Sequence, residues 1–317
     1  MAVRINAEER DHAGGWTRHK GKLGGMNIDL HVHSNASDGT DNPAALPSLA
    51  RAAGLSVFAL TDHDTVAGWA ASEAAAMRAG VTLVRGIEMT AHILVNPREH
   101  PQGKERVSVH ILGYLFNPNH RDIRRHIATM KASREERAKE IVARVSRDYP
   151  LSWEAVQEQC EPGVPIGRPH IADALVAAGV ADDRSAVFRT ILSADSPYYV
   201  PALSPLAAAA VQWIVAAGGK AVLAHPKAAS RGNYVPDSAF GPLRDAGLFG
   251  VEVYHRDNPE PERVALHQLA ADLGLRICGS SDYHGQGKPN RMGENLTSEQ
   301  VYAELIDGVF LPVVAPK

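Results

Sequence analysis

The sequence predicts an α/β barrel carrying a helical insertion, and three observations lead there. Short apolar or β-branched runs recur seven times, Ala-rich segments of helical character separate most of them, and one connection is far too long for a βα loop.

The strands are expected over 28–33, 57–61, 82–88, 107–115, 221–225, 250–254 and 276–280, with helices over 43–53, 66–79, 205–217 and 261–273. Such alternation reads as a parallel sheet, and seven strands suit a closed barrel better than a small open sheet. After the fourth strand about 100 residues pass before the fifth, where α/β units ordinarily use about 2–6. Residues 120–149 are charged and lack Gly, and Ile123, Ile127, Met130, Ala138, Ile141 and Val145 fall near helical spacing, which predicts a long amphipathic helix. Further helices are expected over 153–160, 169–178 and 182–192. The organisation is therefore a mobile tail over 1–25, a barrel formed by 26–119 and 196–317, and an inserted helical subdomain, 120–195, over the active site.

Composition narrows the chemistry. With 33 Lys+Arg against 36 Asp+Glu the formal net charge is −3, which argues against long nucleic acid or a membrane surface as partner. Cys160 and Cys278 make no close pair, so neither a disulfide framework nor a thiolate zinc knuckle is expected. Fifteen histidines leave imidazole and carboxylate as the metal-binding groups. The first 25 residues lack the apolar stretch of a signal peptide, and no run of about 18 apolar residues suggests a membrane span. A cytoplasmic location is the expectation.

His31-Val32-His33 places two imidazoles on one face of the first strand, where both can grip one metal. The pattern recurs at later strands. The second runs into Thr61-Asp62-His63-Asp64, the third ends at Glu88, the fourth contains His110, the fifth ends in His225-Pro226, and the last leads to Asp282-Tyr283-His284. Barrels of this class gather such groups at the C-terminal ends of their strands. Among apolar strands each polar group needs a partner, and a shared metal cluster satisfies all of them together.

The segments Asp29-Leu30-His31-Val32-His33-Ser34, Ser37-Asp38-Gly39, Leu60-Thr61-Asp62-His63-Asp64, Gly86-Ile87-Glu88, Ala224-His225-Pro226 and Ser281-Asp282-Tyr283-His284 resemble, in order and spacing, the motifs of the PHP (polymerase and histidinol phosphatase) superfamily. The resemblance runs from about Asn27 to the C-terminus. It implies a distorted seven-stranded (β/α) barrel with a trinuclear site. Carried onto matching positions, His31, His33, Glu88 and Asp282 hold one metal, Glu88 bridges to a second held also by His110 and His225, and Asp38, His63 and His284 hold the third. Glu88, His63 and Asp282 are the catalytic candidates. Two or three divalent ions are implied, and this donor set accepts manganese, iron or zinc.

Clustered divalent ions suit phosphate ester hydrolysis by attack of a metal-bound hydroxide. Substrate phosphate also needs protein donors. Gly167-Arg168-Pro169-His170 opens a helix at Pro169, placing Arg168 and His170 beside an anion-favouring N-terminus. Lys227 and His255, in loops of the same face, are further substrate-binding candidates, and Arg134 on the long helix is a weaker one. Within the superfamily the chain most resembles stand-alone phosphoesterases of nucleotides, so a nucleoside monophosphate, a 3′,5′-bisphosphate or a short oligonucleotide is the expected substrate. The alternatives are histidinol-phosphate phosphatase, hydrolysis of an amide or lactone, and a non-catalytic module like the PHP domains of replicative polymerases.

Overall fold

The computed structural model describes residues 25–160, 166–193, 195–201, 203–229 and 233–316. The tail expected over 1–25 lies, but for Gly25, outside them. Strands β1 (Ile28–Val32), β2 (Val57–Leu60), β3 (Thr82–Leu94), β4 (Arg106–Tyr114), β5 (Lys220–Leu223), β8 (Gly250–Tyr254) and β9 (Arg276–Gly279) form one sheet in that order, and β6 (Lys227–Ala228) pairs with β7 (Asn233–Tyr234) apart from it. Beyond β9 a parallel bridge from Tyr283 to Val32 returns to β1, giving a nearly closed barrel.

The fourth strand corrects the expectation of an all-parallel sheet. β3 runs on to Leu94 and pairs antiparallel with β4, which pairs antiparallel with β5. The chain turns back over 95–105 with no crossover helix, and strands joined by a hairpin must run antiparallel.

Two apolar clusters build the barrel. Inside, Ile28, Leu30, Val57, Ala59, Val84, Leu112, Tyr114, Val222 and Cys278 pack against Tyr302 and Leu305 of α10 (Glu299–Ile306), which closes one end. Outside, Phe58, Leu83, Ile111, Leu223 and Val251 meet α1 (Leu46–Ala52), α2 (Trp69–Ala79), α7 (Ala207–Ala216), α8 (Phe240–Asp245) and α9 (Glu260–Leu273). This two-faced burial explains why the strands read as continuous apolar runs. Between Asp29↔Phe58 and Val32↔Leu60 the register slips by one residue on β1. The resulting bulge lets His31 and His33 face inward although Leu30 already does, because an extra residue re-aims the side chains that follow it.

Helix α3 (Arg121–Val145) bridges two cores. Ile123 packs on the barrel, while Ala138, Ile141, Val142 and Val145 join residues of α4 (Trp153–Gln157), α5 (Arg168–Ala177) and α6 (Arg184–Arg189) in a separate cluster. Five of the six apolar positions read from the periodicity are buried, and Ile127 packs at the rim of the barrel core. No described helix is long and apolar enough to cross a membrane.

Candidate metal centre

Glu88, at full burial on β3, stands at the middle of the barrel mouth and divides its two oxygens between two groups of histidines. Oε2 lies 3.1 Å from His31 Nε2, 2.9 Å from His33 Nε2 and 3.2 Å from His63 Nδ1. Oε1 lies 2.8 Å from His110 Nδ1 and 3.3 Å from His225 Nε2. Asp282 Oδ1 stands 3.4 Å from both His31 Nε2 and His33 Nε2. On the other side, Asp38 Oδ1 is 3.2 Å from His284 Nε2 and Oδ2 is 3.8 Å from His63 Nε2. All nine residues named from the resemblance thus adjoin one another. His33 and His63 each belong to two of the groups, His33-Asp38-His63-His284, His31-His33-Glu88-Asp282 and His63-Glu88-His110.

The donors fit a set of cations. Glu88 Oε2, His33 Nδ1, His63 Nδ1, His110 Nδ1 and His284 Nε2 are buried without a hydrogen bond of acceptable geometry, and leaving such atoms unsatisfied costs about 1–3 kcal/mol each. His31 Nε2 and His33 Nε2 face each other at 3.0 Å. Two ligand atoms each about 2.1 Å from one ion stand about 3.0 Å apart at a right angle and about 3.4 Å apart at a tetrahedral one, the spacing found around Glu88 and Asp282.

Electrostatics among these side chains point the same way. Burial alone would raise the carboxyl of Glu88, but the imidazoles of His63, His110 and His31 hold it well below the usual range. Burial opposes protonation of His33, yet Asp282 and Glu88 push it up to about 9. Burial pushes the His63 imidazole well down. Protons and cations therefore compete for the same lone pairs.

The turns that present these groups are strained. Asp64, His225 and Asp282 adopt φ of 51°, 28° and 53°, a region costing a non-glycine residue about 1–3 kcal/mol that clusters at functional sites. Surrounding bonds hold them there. Asp64 accepts from Thr90 N and Oγ1 at 2.8 and 2.7 Å and pairs with His126 Nε2 at 2.6 Å and with Arg134. Arg134 is thereby tied to the loop carrying His63 rather than lying on a solvated face.

The substrate-binding candidates separate. His170 is buried, its Nδ1 accepts from Gly167 N at 3.0 Å, and burial lowers its imidazole against the opposing charge of Asp38. Arg168, the first residue of α5 with Pro169 second, donates to Leu192 O at 2.5 Å and covers Phe188; burial and then Arg137 bring it down to about 10. Lys227 is no loop residue: it is buried in β6, with Nζ 2.8 Å from Val235 O, 2.7 Å from Asp237 Oδ1 and 4.2 Å from the Tyr234 ring. Its ammonium is used within the fold. His255 is fully buried, its Nδ1 accepting from Asp257 N at 3.1 Å, with Nε2 3.8 Å from Asp282 Oδ2, and it groups with Asp257 and Asp282.

Sequence reasoning missed Glu252. Its carboxylate meets His31, His225 and Ser280, and although burial would raise it, His31 holds it at about 2. A signal was present: a carboxylate between Val251 and Val253 in a strand read as buried must have partners. Arg184 was missed too. It grips Asp173 at 2.8 and 2.5 Å and reaches the carbonyl of Asp38 at 3.3 Å, joining α5 and α6 to the loop that carries Asp38.

Comparison with known proteins adds to this geometry. A PHP domain family model matches residues 29–178. A 3′,5′-nucleoside bisphosphate phosphatase of Chromobacterium violaceum is 32% identical over 268 residues, 84% of this chain and 90% of that protein. A 5′-3′ exoribonuclease of Haemophilus influenzae is 29% identical over 286 residues, 90% of this chain and 97% of its own. Among solved structures, a Bifidobacterium adolescentis protein assigned as a metal-dependent phosphoesterase superposes with a TM-score of 0.82 at 40% identity, covering 89% of this chain and 96% of that one.

Proposed function

This chain belongs to the PHP domain family and is a metal-dependent phosphoesterase, and on that premise we propose that it removes a terminal phosphate from a small nucleotide or short oligonucleotide. The observation that carries this reading is Glu88, a buried carboxylate whose two oxygens face separate histidine groups.

His31, His33, Glu88 and Asp282 would hold one ion, Glu88, His110 and His225 a second, and Asp38, His63 and His284 a third, taken as manganese, iron or zinc. Such ions supply water activation, a grip on phosphate oxygen and neutralisation of the leaving oxygen. The chain's own part is to place them. Glu88 sets the spacing of the first two groups, and His63, beside both Glu88 and Asp38, fixes the third against them. The helical unit, 120–195 with its flanking residues, covers the Asp38 side, where His170 and the start of α5 face the substrate and Arg168 supports that edge from Leu192. His255 lines the Asp282 side. The names of the two relatives, one a bisphosphate phosphatase and one an exoribonuclease, support a nucleotide as the substrate class.

The test is phosphate release from nucleoside monophosphates, 3′,5′-bisphosphates, short 5′-phosphorylated oligoribonucleotides and histidinol phosphate, with manganese or zinc and a His63→Ala control. Turnover of a nucleotide that the control abolishes is the expected result. Preference for histidinol phosphate would overturn the substrate class.

A further inference from the structure

We propose that Glu252 is the residue that readies the metal centre: one carboxylate sets the ring tautomer of His31 and holds the backbone of His225, so that it positions ligands of two ions at once. The inference rests on the cluster reading above and names how the protein prepares it.

Glu252 is buried at the middle of β8, next to β5, which leads to His225, and two strands from β1, which carries His31. Oε1 lies 2.9 Å from His31 Nδ1 and also accepts from Ser280 Oγ. Oε2 accepts from the backbone N–H of His225 at 2.9 Å. An ionised carboxylate is acceptor-only, so Nδ1 of His31 must carry a hydrogen, and in the neutral ring that a cation requires, Nε2 presents its lone pair. Nε2 is the atom that faces His33, Glu88 and Asp282 at 3.0, 3.1 and 3.4 Å. The second oxygen acts on a different ligand by a different route. His225 sits at φ 28°, and the bond to its N–H helps hold that strained turn with Nε2 on Glu88 Oε1. Carboxylates behind metal-bound histidines serve this purpose generally, and their loss costs about 10–100-fold in metal affinity.

Glutamine tests the idea because it matches glutamate in shape but not in polarity. The N–H of His225 is a fixed donor, so the amide oxygen of Glu252→Gln must turn to it, which leaves the amide NH2 facing His31. Nδ1 then has to accept, and the hydrogen moves to Nε2, where it blocks a cation. In the reverse orientation the NH2 opposes the His225 N–H and that turn is released. Either way a ligand is lost while the volume is kept.

The experiment compares zinc bound per chain, at buffered free zinc, for the full-length protein and Glu252→Gln. The expected result is about 10–100-fold weaker binding of the ions served by His31 and His225, with the ion at Asp38, His63 and His284 retained. Unchanged affinity at every site overturns the role of Glu252 alone. A parent protein that takes up no zinc or manganese overturns the cluster reading, and this role with it. Should the variant fail to fold, nitrogen NMR of the His31 ring in the zinc-loaded parent decides: a protonated Nδ1 with metal on Nε2 supports the assignment, and the opposite tautomer overturns it.

Discussion

The mouth of the barrel buries Glu88 and Asp282 among His31, His33, His225 and His284, whereas the core of the helical unit is built of aliphatic side chains such as Ile141, Ile171, Leu175 and Val187. The first core gains its order from charge and directional bonds and holds buried atoms without a hydrogen bond of acceptable geometry. The second needs only shape and exclusion of water. Between them run two polar struts, Asp64 with His126 and Arg134, and Arg184 with Asp173 and the Asp38 carbonyl. The contrast teaches that charge and directional bonds order the barrel mouth, apolar packing orders the helical unit, and polar struts tie the two together.

Five measurements sharpen or break that contrast. Glu88→Gln strikes the charged core hardest: a metal centre contributes several kcal/mol to catalysis, so turnover should fall about 10³-fold with a matching loss of bound metal. Turnover within about tenfold of the parent would sink the bridging role. Leu175→Ala strikes the apolar core and should lower the unfolding free energy by about 2–5 kcal/mol with metal content unchanged. Parallel loss of metal would mean that the two cores are one cooperative unit.

Chelation removes the cations without touching a side chain. Ions present at 100 times their Kd stabilise the folded state by about 2.7 kcal/mol, so Tm should fall on chelation and recover on reloading; an unmoved Tm contradicts a charge core completed by metal. Arg184→Ala cuts one strut and should cost about 1.5 kcal/mol, the worth of hydrogen bonds to a charged group, in denaturant unfolding. No change would show the strut to be idle. The smallest effect is expected at the rim of the opposite end, where Arg276 pairs with Glu304 at partial exposure: Arg276→Ala should stay within about 0.5 kcal/mol. A larger loss there would show that charge matters throughout the barrel and not at its mouth alone.

Much of the candidate site was legible because it depends on local rules. Strand alternation places His31 and His33 together, and polar residues closing apolar runs at Glu88, His225 and Asp282, with His110 inside a fourth, mark one face. The periodicity of 120–149 likewise found the helix that became α3. What escaped were relations between distant segments. Arg134 reads as a surface residue until Asp64, 70 positions earlier, is brought beside it. Lys227 reads as a solvated loop residue until Tyr234 and Asp237 enclose it.

By itself, then, the sequence determined the inventory and period of the elements, the family and the nine polar residues facing one mouth, since alternation, helical spacing and motif order are properties of neighbouring residues. Tertiary structure alone decided the direction of β4, the bulge that turns His31 inward, and the bond from Glu252 to a histidine 221 positions away. Each of these depends on which strands meet and at what register, and register is an energy of packed surfaces rather than of any one segment.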